Sequence, residues 1–135
     1  MKALDTNVLI RFLVDDPDDR EAARQRPLAV RALSERVFLP VTVLLEAEWV
    51  MRGFYEVHRA EIARALRGVC ALDNVTVDSR DAVLTALDAL QSGLDFADAL
   101  HMALSEGCQA LQTFDRGFAK KSARLNGGPK VELLR

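Results

Sequence analysis

The sequence lacks an excess of charge of either sign. Its 18 basic and 20 acidic side chains leave a net charge of -2 at pH 7. That argues against a protein held to nucleic acid by bulk positive charge, while leaving room for local basic patches. Long apolar runs are missing too. No stretch approaches the roughly 18 uninterrupted apolar residues of a membrane span. Asp5, Asn7 and Arg11 interrupt the first apolar segment, so no signal peptide is expected. Of cysteine there is little: Cys70 and Cys108 stand alone in apolar surroundings. They are expected to be reduced core thiols of a cytoplasmic protein, not a disulfide framework. The two histidines, His58 and His101, are too far apart in context to make a zinc site. No glycine-rich phosphate loop is present, and Asn126-Gly127-Gly128-Pro129 reads as a turn. Repeats, linkers and low-complexity segments are also absent.

What is there is an ordinary globular composition, half apolar and 28% charged over 135 residues. One domain over 1–135 is expected, large enough to fold without a disulfide or metal staple. The pattern opens with a buried strand ending at Asp5, followed at once by a helix from Val8 to Val14. Asp15 to Asp19 form a turn and a helix start, and the helix beyond runs to about Arg36 with a kink or break at Pro27. Strands are expected at Val37–Leu39, Val75–Val77, Gln109–Thr113 and Val131–Leu134. Helices are expected from Thr42 to Arg52, Arg59 to Cys70, Ser79 to Gln91, Asp95 to Glu106, and Asp115 to about Leu125. Strands alternating with helices imply right-handed crossovers and a mostly parallel α/β sheet. In such sheets ligands bind beyond the carboxyl ends of the strands.

Four acids stand against their local patterns. Asp5 and Asp115 each end an expected strand, and Asp5 also fits a helix N-cap. Asp98 lies in the first turn of an apolar helix, three residues after Asp95, which is the better cap. Glu46 has Thr42, Val43, Trp49 and Val50 as its helical neighbours, none of them a cation. Glu48 points to nearly the opposite side and has Arg52 at i+4, in the favourable order for a surface pair. Glu46 is therefore expected to sit unpaired on an apolar face, satisfied by a cation or by a core hydrogen bond. Gathered carboxylates repel one another, and a hard divalent cation, Mg²⁺ or Mn²⁺, removes that problem.

Leu4-Asp5-Thr6-Asn7-Val8-Leu9, Val43-Leu44-Leu45-Glu46, Asp95-Phe96-Ala97-Asp98-Ala99-Leu100 and Thr113-Phe114-Asp115 resemble, in order and spacing, the motifs of PIN-domain ribonucleases. The nearest resemblance is to the VapC-type toxins of bacterial toxin-antitoxin pairs, and it covers essentially the whole chain. It implies a three-layer fold with a central, mostly parallel five-stranded sheet and helices on both faces. It implies Asp5, Glu46, Asp98 and Asp115 as a catalytic metal site for Mg²⁺ or Mn²⁺, with Thr6 and Thr113 as polar neighbours. It further implies RNA cleavage leaving a 5′-phosphate, a homodimer, and a small antitoxin protein that blocks the site. Some relatives carry an acidic or amide residue where this chain has Arg116-Gly117, so a second metal is expected to be weakly held.

The expected reaction is metal-dependent endoribonuclease chemistry, in which the cation activates water and offsets charge on the phosphate. Arg11, Arg116, Lys120, Lys121 and Arg124 are candidates to hold the RNA backbone, with a solvated basic face as the alternative. A haloacid-dehalogenase-like phosphatase needs a second aspartate two residues after the first, where Asn7 stands. A receiver domain needs an acidic pair before the first helix, and only Asp5 is there. A non-catalytic binding module of the same fold does not need all four acids.

Overall fold

The computed structural model describes residues 1–125 and 127–135. Asn126, first residue of the expected turn, lies outside them. The chain divides into two compact units, Met1–Arg80 and Asp81–Arg135.

In the first unit, β1 (Lys2–Ala3), β2 (Val37–Leu39) and β3 (Val75–Val77) pair in that order, all parallel. Around them come α1 (Thr6–Leu13), α2 (Arg20–Ala32), α3 (Val41–Gly53) and α4 (Arg59–Cys70). Val37, Leu39, Val75 and Val77 are buried, as are Leu9 and Ile10 of α1 and Ile62, Leu66 and Val69 of α4. β1 is not the buried strand that the sequence suggests: Lys2 and Ala3 are exposed, and burial begins at Leu4. It ends the order of this three-stranded sheet and is an edge strand among the described residues. α2 starts under Asp19, whose carboxylate accepts from the Ala22 N–H at 3.0 Å. It continues through Pro27 and stops at Ala32, short of Arg36. Pro27 forgoes one helical hydrogen bond without ending the helix.

In the second unit, α5 (Arg80–Gln91, whose first residue belongs to the first unit), α6 (Phe96–Leu104) and α7 (Arg116–Ser122) accompany β4 (Ala110–Thr113) and β5 (Lys130–Leu133). β4 and β5 pair in parallel from Ala110↔Lys130 to Thr113↔Leu133. Val83, Ala86, Leu87 and Leu90 form the buried stripe of α5, and Phe96, Ala99, Leu100 and Met102 that of α6. Gly93, at φ 108, makes the left-handed turn between these helices.

The strands thus form sheets of three and two, which corrects the expected single five-stranded sheet. Hydrophobic pattern reports that a segment is extended; it does not say which neighbour it bonds. With ladders of two to four residues, little in the sequence specifies that pairing. Cys70 is a buried thiol, and burial pushes its pKa up, as expected of a core cysteine. Cys108 is exposed, which corrects its assignment to the core: it follows Gly107 in the turn after α6.

Candidate active site

The acids fall into one pair in each unit. In the first, Asp5 leaves the end of β1 and caps α1, its Oδ1 accepting from the Thr6 N–H at 2.8 Å. The cap and ligand readings do not compete, since a carboxylate has a second oxygen and further lone pairs. Thr6 is buried behind it. Glu46 projects from the middle of α3 into the same open pocket, of about 350 Å³. Asn7, Arg11, Phe54 and Tyr55 also line that pocket.

The helical phase of α3 explains which glutamate arrives there. Its core face is Val43, Leu44, Ala47, Glu48 and Met51, so Glu46 is exposed toward the pocket. The expectation of Glu46 on an apolar face and Glu48 on the surface is therefore corrected. Exposed Trp49 makes the outward face look apolar in the sequence. Glu48 is 1% exposed and its carboxylate is gripped by Arg52, with Nε–Oε2 at 2.8 Å and a second bond from the guanidinium to Oε1 at 3.3 Å. The expected i,i+4 pair exists, but with its acid end in the core.

Arg11, one turn into α1, donates from Nε to the Gln25 carboxamide oxygen at 2.9 Å and from its terminal nitrogen to the Tyr55 hydroxyl at 3.3 Å. Tyr55 in turn donates to Asp16 at 3.0 Å. Both of these hydrogen-bond partners are neutral, and the nearby Glu21 carboxylate feels the Arg11 charge. Asn7, Phe54 and Tyr55 were missed as pocket residues by the sequence reading. The one available signal was an aromatic pair directly after Gly53, where α3 stops.

In the second unit Asp115 caps α7, its Oδ1 accepting from the Phe118 N–H at 3.0 Å. Thr113 Oγ1 accepts from the Asp115 N–H at 3.0 Å, which fixes the backbone that presents the acid. Gly117, in the first turn of α7, lies close to that carboxylate. A Cβ there would stand 3.3 Å from Asp115 Oδ1, crowding the capped carboxylate. Asp95 takes the N-cap position of α6 as expected, but its side chain makes no capping hydrogen bond. Asp98 is half-buried in the first turn of that helix. Burial raises its pKa, and the charges of Asp95 and Asp115 push the same way, while His101 and Lys121 oppose them. Asp98, Asp115 and Lys121 therefore share one electrostatic neighbourhood. Arg116, Lys120 and Arg124 are exposed on or just beyond α7.

Among the described residues, no three His, Cys, Asp or Glu side chains are gathered as a metal-holding group. The chemistry of the two pairs nevertheless suits a hard cation. Asp5 and Glu46, with Thr6 and Asn7 beside them, offer oxygen donors only in an open pocket. Burial is the larger part of the raised Asp98 pKa, and the nearby charges of Asp95 and Asp115 add to it, so a cation placed beside these acids would favour their charged forms.

That shift yields a test. A carboxyl with a raised folded-state pKa contributes stability below its unfolded pKa and loses it as pH rises through the folded value. At pH 7 in chelator the Asp98 charge is therefore a cost. Asp98→Asn is expected to melt at or above the wild-type temperature at pH 7, with the difference vanishing near about pH 3, below the ordinary aspartate pKa. A variant melting well below wild type in chelator would show that the Asp98 carboxylate is structural.

No curated protein and no solved structure matches the chain at a significant level. Among the described residues, no helix is long and apolar enough to cross a membrane. The sequence model of the PIN domain matches residues 2–123, a span that takes in all four acids. With that match over most of its length, the chain belongs to the PIN domain family.

Proposed function

We propose that this protein is a divalent-metal-dependent endoribonuclease and the toxin component of a toxin-antitoxin pair. PIN domains are generally nucleases. The observation that carries the reading is the convergence of Asp5 and Glu46, from different elements, on one open pocket that also holds Arg11. The family match spans both units, so the reading treats 1–135 as one nuclease domain and enlists Asp98 and Asp115 with the first pair.

In this reading the four carboxylates hold Mg²⁺ or Mn²⁺ through oxygen donors. The bound cation supplies charge compensation on the phosphate and a lowered pKa for water. Asp5 is fixed by its bond to the Thr6 N–H, and Asp115 by its bond to the Phe118 N–H with Thr113 behind it. Carboxylates held this way need little reorganisation during the reaction. Arg11, which lines the pocket of Asp5 and Glu46, serves a phosphate oxygen of the RNA, and Arg116, Lys120 and Lys121 of α7 serve the RNA backbone as well. Water adds to phosphorus and the P–O3′ bond breaks, its oxygen taking the proton. The products carry a 5′-phosphate and a 3′-hydroxyl.

Purified protein is expected to cut RNA with Mg²⁺ or Mn²⁺ and to stop when EDTA is added. Full activity in chelator, in a preparation cleared of contaminating nuclease, overturns the mechanism. The toxin assignment carries with it a cytoplasmic homodimer and a small antitoxin that covers the site. A short adjacent reading frame encoding a DNA-binding protein, whose product forms a complex with this chain and stops cleavage, is the expected finding.

A further inference from the structure

Phe54 is 72% exposed, one of the most exposed large apolar side chains among the described residues. It lines the pocket of Asp5, Glu46 and Arg11. Its ring is also held in place. Tyr55 meets it edge-to-face, with centroids 4.8 Å apart and planes at 81°. Tyr55 is itself tied through its hydroxyl to Asp16 at 3.0 Å and to Arg11 at 3.3 Å. The backbone beneath is closed by the Val57 N–H bonding back to the Met51 carbonyl at 2.9 Å, around Glu56 at φ 55. The left-handed residue turns the chain back so that it bonds to the last turn of α3. At Glu56 a non-glycine residue adopts that conformation, so the surrounding bonds enforce it.

We infer that Phe54 is a platform on which an unpaired nucleobase of the substrate stacks, next to the acidic pair. The inference rests on the nuclease reading and names how that site holds its substrate. The chemistry of the pocket selects the occupant. Its carboxylates suit a cation-bridged phosphate, and Arg11 lines the same pocket, held there by hydrogen bonds to Gln25 and Tyr55. A nucleotide carries its phosphate and its flat apolar base on one sugar, so both ends meet groups of the same pocket. A pre-set aromatic ring takes any base by its π-face, which favours single-stranded RNA without reading its sequence. A base inside a duplex has its faces already stacked and does not reach the ring.

The test compares wild type, Phe54→Leu and Phe54→Trp on a fluorescein-labelled single-stranded oligoribonucleotide and on the same oligomer carrying abasic positions. Cleavage is followed with Mg²⁺, and binding by anisotropy with Ca²⁺ in its place. Phe54→Leu is expected to raise KM and Kd about ten-fold on the intact oligomer, the effect of losing one stacked base. Its kcat stays within about two-fold, and Phe54→Trp keeps wild-type affinity. On the abasic oligomer, wild type and Phe54→Leu bind alike. In a Trp49→Phe background the new indole of Phe54→Trp is quenched by the intact oligomer and not by the abasic one, a readout independent of turnover. If wild type cleaves RNA and Phe54→Leu matches it in KM and Kd, the platform is wrong and the nuclease reading stands. If Phe54→Leu instead loses self-association with RNA affinity unchanged, Phe54 belongs to a protein interface and the platform is likewise overturned. If wild type neither binds nor cuts any RNA, the nuclease reading fails and the platform falls with it.

Discussion

Glu46→Gln is expected to lower kcat by orders of magnitude while leaving the fold intact. The glutamine keeps the side chain's length and shape and removes the charge. Glu46 is exposed in the pocket and contributes no buried packing, so stability should change by no more than about 0.5 kcal/mol, as for an ordinary surface site. Mg²⁺ or Mn²⁺ binding, followed by calorimetry, should weaken in parallel with the loss of rate. The same logic extends to Asp5→Asn and Asp115→Asn, where the amide is an equally good helix cap and only the charge is lost. Activity within a few-fold of wild type for Glu46→Gln would remove Glu46 from the site. Normal activity for all three variants would remove the carboxylates from the chemistry altogether.

Two residues along the same helix, Glu48→Ala should do the reverse. Glu48 is fully buried and holds Arg52 through both carboxylate oxygens. Removing one partner of a fully buried ion pair costs about 3–5 kcal/mol. The Arg52 side chain is about half exposed, at 47%, so its guanidinium can turn to water and the loss falls at the lower end. The alanine also leaves a void beside Leu44, Ala47 and Met51, the buried residues of the same helix face. We expect about 3 kcal/mol in all, roughly a 10 °C drop in Tm for a chain of this size. Measured well below its midpoint, the variant should still cut RNA within a few-fold of wild type. A loss under about 1 kcal/mol in urea denaturation would mean that the buried pair contributes little. Lost activity with full stability would reverse the roles of the two glutamates.

These predictions separate because the sequence reading of α3 was half right. Arg52 at i+4 from Glu48 is a local relation, and the ion pair formed as expected. Which side of the helix faces the core is not local. Leu45, Trp49 and Val50 make the outward face nearly as apolar as the inward one, so the pattern left the phase ambiguous. Glu46 shares a pocket with Asp5 because it is exposed there, not because it is stranded on an apolar face as the sequence suggested. The aromatic pair Phe54-Tyr55 is visible in the sequence, but nothing local says that a residue after a helix end will return to α1 and Asp16.

By itself the sequence determined most helices to within a few residues, the three central strand segments, the cap at Asp5, and the membership of the PIN family that the matched span shows. The helices, strands and cap depend on interactions within about one helical turn or on a two-residue alternation, which a linear chain displays directly. Tertiary structure alone decided the split of the strands into three and two, the burial of Glu48, the exposure of Cys108, and the pocket that brings Asp5, Glu46, Arg11 and Phe54 together. Those outcomes depend on which surfaces meet, and short ladders and helices apolar on two sides leave that choice to packing between segments distant in the chain.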